Sequence, residues 1–216
     1  MTTSDDDAAA PRLPAELFAR EDDSADAGFY ADPRFVVHID DATIDALTDF
    51  YRERIPAGAR VLDLMSSWVS HLPAEVAYAE VAGHGMNAAE LAANPRLDVA
   101  HVQDLNDDPK LPWTDGRFDA VLIAVSVQYL IRPVEVFQEI GRVLAPGGQL
   151  IIAHSHRCFP TKATRAFLEL PPAERIRLIG LCLQQAGAFD APEFHDRSPL
   201  AADPLWIVSG RRASRA

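Results

Sequence analysis

The chain has 216 residues, 48% of them hydrophobic and 24% charged, with a formal net charge of −12. That length and balance suit one well-buried domain with room for an extra element. They argue against a nucleic-acid-binding face, because no basic stripe exists beyond the short Arg211, Arg212, Arg215 end.

The acidity is uneven. Residues 1–26 hold eight acids against Arg12 and Arg20, which is half of the whole imbalance. Two cysteines, Cys158 and Cys182, make no disulfide framework, and a reducing intracellular setting is the default. The N-terminus is acidic and lacks the basic-then-apolar order of a signal peptide. The longest apolar run, 120–131, is too short for a membrane span and contains Ser126 and Gln128. The expectation is a soluble cytoplasmic protein, without nucleic-acid or membrane partners, as a monomer or homodimer.

In chain order, residues 1–12 are Asp/Ala-rich and read as a disordered acidic tail. Residues 13–55 read as a cap or lid followed by a helix. Ile44, Leu47, Phe50, Tyr51 and Ile55 recur at three- and four-residue spacing behind Asp40 or Asp41 as cap. Pro56-Ala57-Gly58 stops that helix and launches a buried strand at 60–64. A short helix is predicted over Pro73–Tyr78, then a strand at Ala79–Gly83 and a helix Ala88–Ala93 capped by Asn87. A third strand falls near Val99–Val102 and a fourth at Phe118–Ala124. The next helix starts near Pro133, and Pro146-Gly147-Gly148 ends it before a fifth strand, Gln149–His154. Helices around Thr161–Leu168 and Ala173–Ala186, then strands Phe189–Phe194 and Leu205–Ser209, complete the body over 56–210. Residues 211–216 read as a solvated basic tail.

Strands alternating with helices predict an α/β, doubly wound, mostly parallel sheet covered on both faces, with an antiparallel pair at one edge. Ligands of such sheets bind beyond the carboxyl ends of the strands, where strand order reverses. The candidate site segments are therefore 65–71, 84–87, 103–106, 124–129 and 154–160.

Four blocks carry a resemblance: V-L-D-L at 61–64, Gln103-Asp104 after the third strand, L-P-W-T-D-G-R-F-D-A-V-L-I at 111–123 and E-I-G-R-V-L-A-P-G-G-Q-L at 139–150. The run 60–155 resembles the class I S-adenosylmethionine-dependent methyltransferases, of the methyltransferase type 11 kind. The resemblance implies seven strands with the last antiparallel. It also implies S-adenosylmethionine as cofactor, S-adenosylhomocysteine as product, and methyl transfer to an O, N or S atom of a small molecule. It places the methionine end of the cofactor at Asp63 and the following turn, and the adenine amino group at Asp104 beside Leu105. Ala124 and Val125 run past the methionine moiety, and Tyr30 belongs to a lid that also holds Phe29 and His38. Asp63 can at the same time cap the following backbone, and for Asp104 the adenine contact is preferred over a helix or loop cap.

Two departures stand out. The family's glycine turn reads Met65-Ser66-Ser67-Trp68-Val69, without a glycine. Ser66 and Ser67 keep hydroxyls and N–H groups for a carboxylate or for helix capping. Methyltransferase-like chains of unassigned activity carry a similar turn. The acid that grips the ribose falls on Gly85, so Asn87 either bonds the ribose or caps the next helix, and Met86 lies over adenine.

For acceptor activation, His154, His156 and Tyr129 are the candidates, since a base helps a hydroxyl, thiol or protonated amine acceptor. Strand alternation would put His154, His156 and Cys158 on one face, as a metal site or as polar cleft lining; the lining is preferred and no metal is expected. Arg157 and Lys162 could meet an acidic substrate group, with surface solvation the alternative for Lys162. A non-catalytic binding or scaffold module is the competing reading. A nicotinamide-dependent oxidoreductase fares poorly without G-x-G-x-x-G.

Overall fold

The computed structural model describes residues 13–214, so the tail expected at 1–12 lies outside the described residues. Seven strands form one sheet: β1 (Arg60–Leu64), β2 (Glu80–Gly85), β3 (Val99–Val102), β4 (Phe118–Ala124), β5 (Leu144–His154), β6 (Glu193–Asp196) and β7 (Trp206–Arg211). Their order is β3-β2-β1-β4-β5-β7-β6. The pairs β1–β2, β1–β4, β2–β3 and β4–β5 are parallel, and β7 runs antiparallel to both β5 and β6. The predicted doubly wound sheet with an antiparallel last strand is therefore observed.

The helices are α1 (Asp26–Phe29), α2 (Asp41–Arg54), α3 (Ala88–Ala93), α4 (Pro133–Val143), α5 (Arg165–Glu169) and α6 (Pro172–Ala186). Strand alternation sorts the apolar side chains onto two faces. Leu62, Leu64, Val121, Ile123, Leu150 and Ile152 pack with Phe137 and Ile140 of α4, Phe167 of α5 and Ile179 of α6. Val61, Leu122, Ile151 and Ala153 pack with Leu47, Phe50 and Tyr51 of α2. The Asp40 carboxylate caps α2 by accepting from the Thr43 N–H, and Gly187, at φ +67°, ends α6 in the left-handed region. Among the described residues no helix is long and apolar enough to cross a membrane.

Four local expectations change. Residues 73–78 form no helix. The segment is diverted to the sheet's N-terminal edge, where the Gly58 N–H donates to the Ala77 carbonyl and the Ala79 N–H to the Ala59 carbonyl. β2 runs on through His84 and Gly85. β5 begins at Leu144, with the register jumping between Phe118↔Leu144 and Ala120↔Gln149, so Pro146-Gly147-Gly148 sits inside an irregular strand start. Arg211 ends β7, and Arg212 bridges to Phe189 while its guanidinium bonds the Leu144 carbonyl. These two arginines belong to the sheet edge and not to a solvated tail.

Candidate functional site

A cleft opens beyond the carboxyl ends of β1 to β4, at the reversal between β1 and β4. It encloses about 1160 Å³, counting the space open to solvent at its mouth. Asp63, Met65, Ser66 and Ser67 line it from the end of β1, and Gly85, Met86 and Asn87 from the end of β2. Asp104 and Leu105 follow β3, Ala124 and Val125 close β4, and Tyr30 comes from the segment before α2. The fold thus brings together all the residues expected at a cofactor. Arg34, Val36, Val37, His38 and Ile39 add a roof from the same segment as Tyr30.

The glycine-free turn is held by side chains instead of by glycine's freedom. Met65 takes φ +58°, a left-handed conformation that costs a side-chain-bearing residue on the order of 1 kcal/mol or more. The Ser66 N–H donates to the His84 carbonyl at 2.6 Å, and Ser66 Oγ donates to Asp63 Oδ2 at 2.5 Å. Asn94 Nδ2 donates to the Ser67 carbonyl and to Ser70 Oγ, both at 2.9 Å. Trp68 reaches outward, its indole N–H donating to the Val36 carbonyl at 2.9 Å and its ring meeting Phe35 edge-on. His71 and Val125, at φ +54° and +50°, also line the cleft in left-handed conformations. Backbone strain is concentrated where a ligand would lie.

At the end of β2, Asn87 takes the capping alternative. Its Oδ1 accepts from the N–H groups of Ala89 and Glu90, and its Nδ2 donates to the carbonyls of Tyr30 and Ala31. Both amide hydrogens are spent, so it fastens the roof to α3 and has no donor left for a ribose hydroxyl. Gly85 has no room for a side chain, because a Cβ there would overlap the Ser66 carbonyl oxygen.

Four acidic residues line the cleft, Asp26, Asp63, Glu90 and Asp104, and Asp26 is taken up by Arg20, Asn106 and Lys162. Burial pushes Asp63 up to about 6, against the hydroxyls of Ser66 and Ser70 that favour its charged form. Burial also raises Asp104, whose Oδ1 accepts from the Asn106 N–H at 2.9 Å. Glu90, in the first turn of α3, accepts from Ser67 Oγ at 2.6 Å and from the Arg34 N–H at 2.7 Å. Burial, with His38 nearby, pushes His71 down to about 4, so its ring is neutral at physiological pH. His84 is likewise pushed to about 4 by burial. Its two ring nitrogens and Ser126 Oγ are buried without a partner among the described residues.

The catalytic expectations divide. Tyr129 lines the cleft, its hydroxyl accepting from the Phe159 N–H at 2.8 Å and its ring stacked on Phe159. His154 does not line it. It is 0% exposed and continues the face of Leu150 and Ile152 into a pocket between Phe167 and Trp206. His156 is exposed, 3.4 Å from Asp203 Oδ1. β5 ends at His154, so alternation carries no further and the three side chains His154, His156 and Cys158 do not converge. Among the described residues no three metal-ligating side chains are grouped. Arg157 pairs with Asp203 outside the cleft. Lys162 is fully buried, bonded to Asp22, Ser24 and Asp26, and is neither solvated nor open to substrate.

Glu90 and Arg34 lie outside the candidate segments, whereas His71, Ser126 and Phe159 fall inside them without a catalytic role assigned. Glu90 carried one usable signal, three residues after the Asn87 cap at a capping-box position. His71 carried only its place in the segment 65–71 after β1.

Residues 61–152 match the family model described as "Methyltransferase domain". Curated relatives include the demethylmenaquinone methyltransferase of Mycobacterium sp. (strain KMS), 32% identical over 117 residues, covering 54% of this chain and 48% of the relative. The demethylmenaquinone methyltransferase of Clavibacter sepedonicus is 32% identical over 104 residues, covering 44% and 41%. The chain spans about half the length of the curated relatives it matches. Among solved structures, the [4+2]-cyclase SpnF superposes with a TM-score of 0.60 at 20% identity, covering 79% of this chain and 82% of that one. An S-adenosylmethionine-dependent methyltransferase from Mesorhizobium loti gives a TM-score of 0.54 at 17% identity, covering 78% and 100%. Residues 61–152 thus match a methyltransferase domain, and the seven-stranded sheet gives this chain the fold of these solved structures.

Proposed function

We propose that the protein is an S-adenosylmethionine-dependent methyltransferase acting on an O, N or S atom of a small, largely apolar molecule. The carrying observation is the cleft itself, which spans the ends of β1 to β4 and faces its ligand with the carboxyl groups of Asp63, Glu90 and Asp104. The cofactor suits this donor set: its sulfonium and ammonium are cationic, and its adenine amino group needs an acceptor. The unpartnered Ser126 Oγ and His84 nitrogens leave polar capacity for it. A pyrophosphate suits the cleft poorly, because the Ser66 N–H is already spent on His84 and the lining is acidic.

Bound there, the cofactor supplies a methyl group on a sulfonium. Transfer is an in-line displacement that needs alignment above all. The turn, Asp63 and Ala124-Val125 would hold the methionine end, and Asp104 with Leu105 would hold adenine. Val36, Val37 and Ile39 cover the cleft and Tyr129 stacked on Phe159 walls it, which excludes water and suits an apolar acceptor. The neutral His71 ring, with no hydrogen bond to it among the described residues, takes the proton of a hydroxyl or thiol acceptor. The names of the relatives make demethylmenaquinone a first acceptor to assay.

Isothermal calorimetry with S-adenosylmethionine and S-adenosylhomocysteine tests the reading. Micromolar binding supports it. A stably folded protein that gives no heat at millimolar ligand overturns it in favour of a binding module.

A further inference from the structure

Resting on that function, we propose that Glu90 is the ribose-binding carboxylate of this site, displaced from the end of β2 to the first turn of α3. The acid expected at the end of β2 falls on Gly85. No acid can stand there, because the Ser66 N–H is bonded to the His84 carbonyl at 2.6 Å and the Ser66 carbonyl occupies the space of a Gly85 Cβ. The glycine-free turn and the missing acid are therefore one arrangement: a turn that lies directly on the strand end leaves that strand no side chain.

A vicinal diol is best gripped by two adjacent acceptors, and Glu90 alone offers them at the β2 end of the cleft. The Asn87 amide has no free hydrogen, being committed to the α3 cap and to the carbonyls of Tyr30 and Ala31. Asp63 belongs to the end of β1, where its Oδ2 accepts from the Ser66 hydroxyl, and Asp104 belongs to the end of β3. Glu90 lines the cleft, and each of its oxygens accepts one hydrogen bond, from Ser67 Oγ and from the Arg34 N–H. A carboxylate accepts about four, so each oxygen keeps one free position. The two existing bonds fix the orientation of the carboxylate before any ligand arrives. They come from the turn on one side and the roof segment on the other, which makes ribose recognition and roof placement share one group.

The test is calorimetry of wild type, Glu90→Gln and Glu90→Ala with S-adenosylhomocysteine and with its 2′,3′-dideoxy analogue, with thermal melting to verify each fold. Wild type should lose about 10- to 100-fold in affinity between the two ligands, the scale of charge-assisted hydrogen bonds. Glu90→Gln should weaken S-adenosylhomocysteine by a similar factor and leave the dideoxy analogue near its wild-type affinity, and Glu90→Ala, which also frees the roof and the turn, should weaken S-adenosylhomocysteine more than the dideoxy analogue. Equal weakening of both ligands, or of neither, overturns the assignment of Glu90 while the methyltransferase reading stands. Wild type that binds neither ligand overturns that reading and this assignment together.

Discussion

Ser66 and Gly85 pack backbone to backbone, the Ser66 carbonyl standing where any Cβ on Gly85 would be. Placing an acid at the end of β2 by Gly85→Asp should therefore fail. Overpacking of this kind costs about 1–3 kcal/mol, read as a fall in unfolding free energy by urea titration. Affinity for S-adenosylhomocysteine should drop, not rise. A variant that binds more tightly at unchanged stability would show that the turn yields easily.

Asp63 is a buried carboxyl raised by burial to about 6 from the ordinary 3.8. An acid raised in the fold contributes stability that is full below the unfolded value and is lost as pH rises through the folded one. Asp63→Asn removes that dependence. Relative to wild type, it should gain about 3 kcal/mol between pH 3.5 and pH 7.5, the free-energy equivalent of that rise in pKa, while cofactor binding weakens. Parallel stability profiles for the two proteins would show that Asp63 ionises normally.

His154 is buried between Phe167 and Trp206 with neither nitrogen bonded, and burial pushes it down to about 4. A histidine lowered in the fold loses stability as pH falls from its unfolded value of 6.5 toward 4. His154→Phe escapes that loss. At pH 5 it should gain about 2 kcal/mol on wild type compared with the difference at pH 7.5. Turnover should be unchanged, since the ring lies outside the cleft. Lost turnover with intact cofactor affinity would return His154 to the role of base.

Lys162 anchors the roof segment. Its ammonium lies 3.0 Å from Asp22 and 3.2 Å from Asp26, and Asp26 also accepts both hydrogen bonds of Arg20. Burial pushes Asp26 up, but bonds from Arg20, Asn106 and Lys162 outweigh it and hold the carboxyl below its ordinary value. Lys162→Met should cost about 3 kcal/mol, the scale of a broken buried ion pair. It should also speed proteolysis between residues 20 and 38. The contribution of Asp26 itself is present above the unfolded carboxyl value near 4 and lost as pH falls through the lowered one. Wild-type stability and protease resistance in Lys162→Met would show that the cluster is not what holds the roof.

In the proposed function, the neutral His71 ring takes the acceptor's proton. His71→Ala should lower kcat by about 100-fold with a hydroxyl or thiol acceptor, within the usual range for a general base, and leave S-adenosylhomocysteine affinity near wild type by calorimetry. Undiminished kcat would remove it from the chemistry.

The elements whose cause is local were written in the sequence. Asp40 and Asn87 cap α2 and α3, each one of the two readings the sequence allowed, because a capping side chain acts on N–H groups only two or three residues away. β1 and β4 keep their predicted bounds, because their apolar runs are set by burial on the pleated sheet, and β3 keeps its own as an exposed edge strand. The site segments followed from topology, since the reversal between β1 and β4 fixes where a ligand can enter.

What the sequence left open depended on groups far apart in the chain. Pro73–Tyr78 looked helical until backbone pairing with Gly58 and Ala59 diverted it. His154 looked like a cleft base until α5 and β7 closed over it, and Lys162 looked solvated until the segment around Asp26 brought it acids to pair with. Composition, strand periodicity and caps thus determined by themselves that this chain builds a parallel α/β sheet with a ligand cleft at its carboxyl edge. Only the tertiary structure decided which acid faces the cleft at the end of β2, because the space at Gly85 is taken by the Ser66 carbonyl, and that contact exists only after the turn folds onto the neighbouring strand.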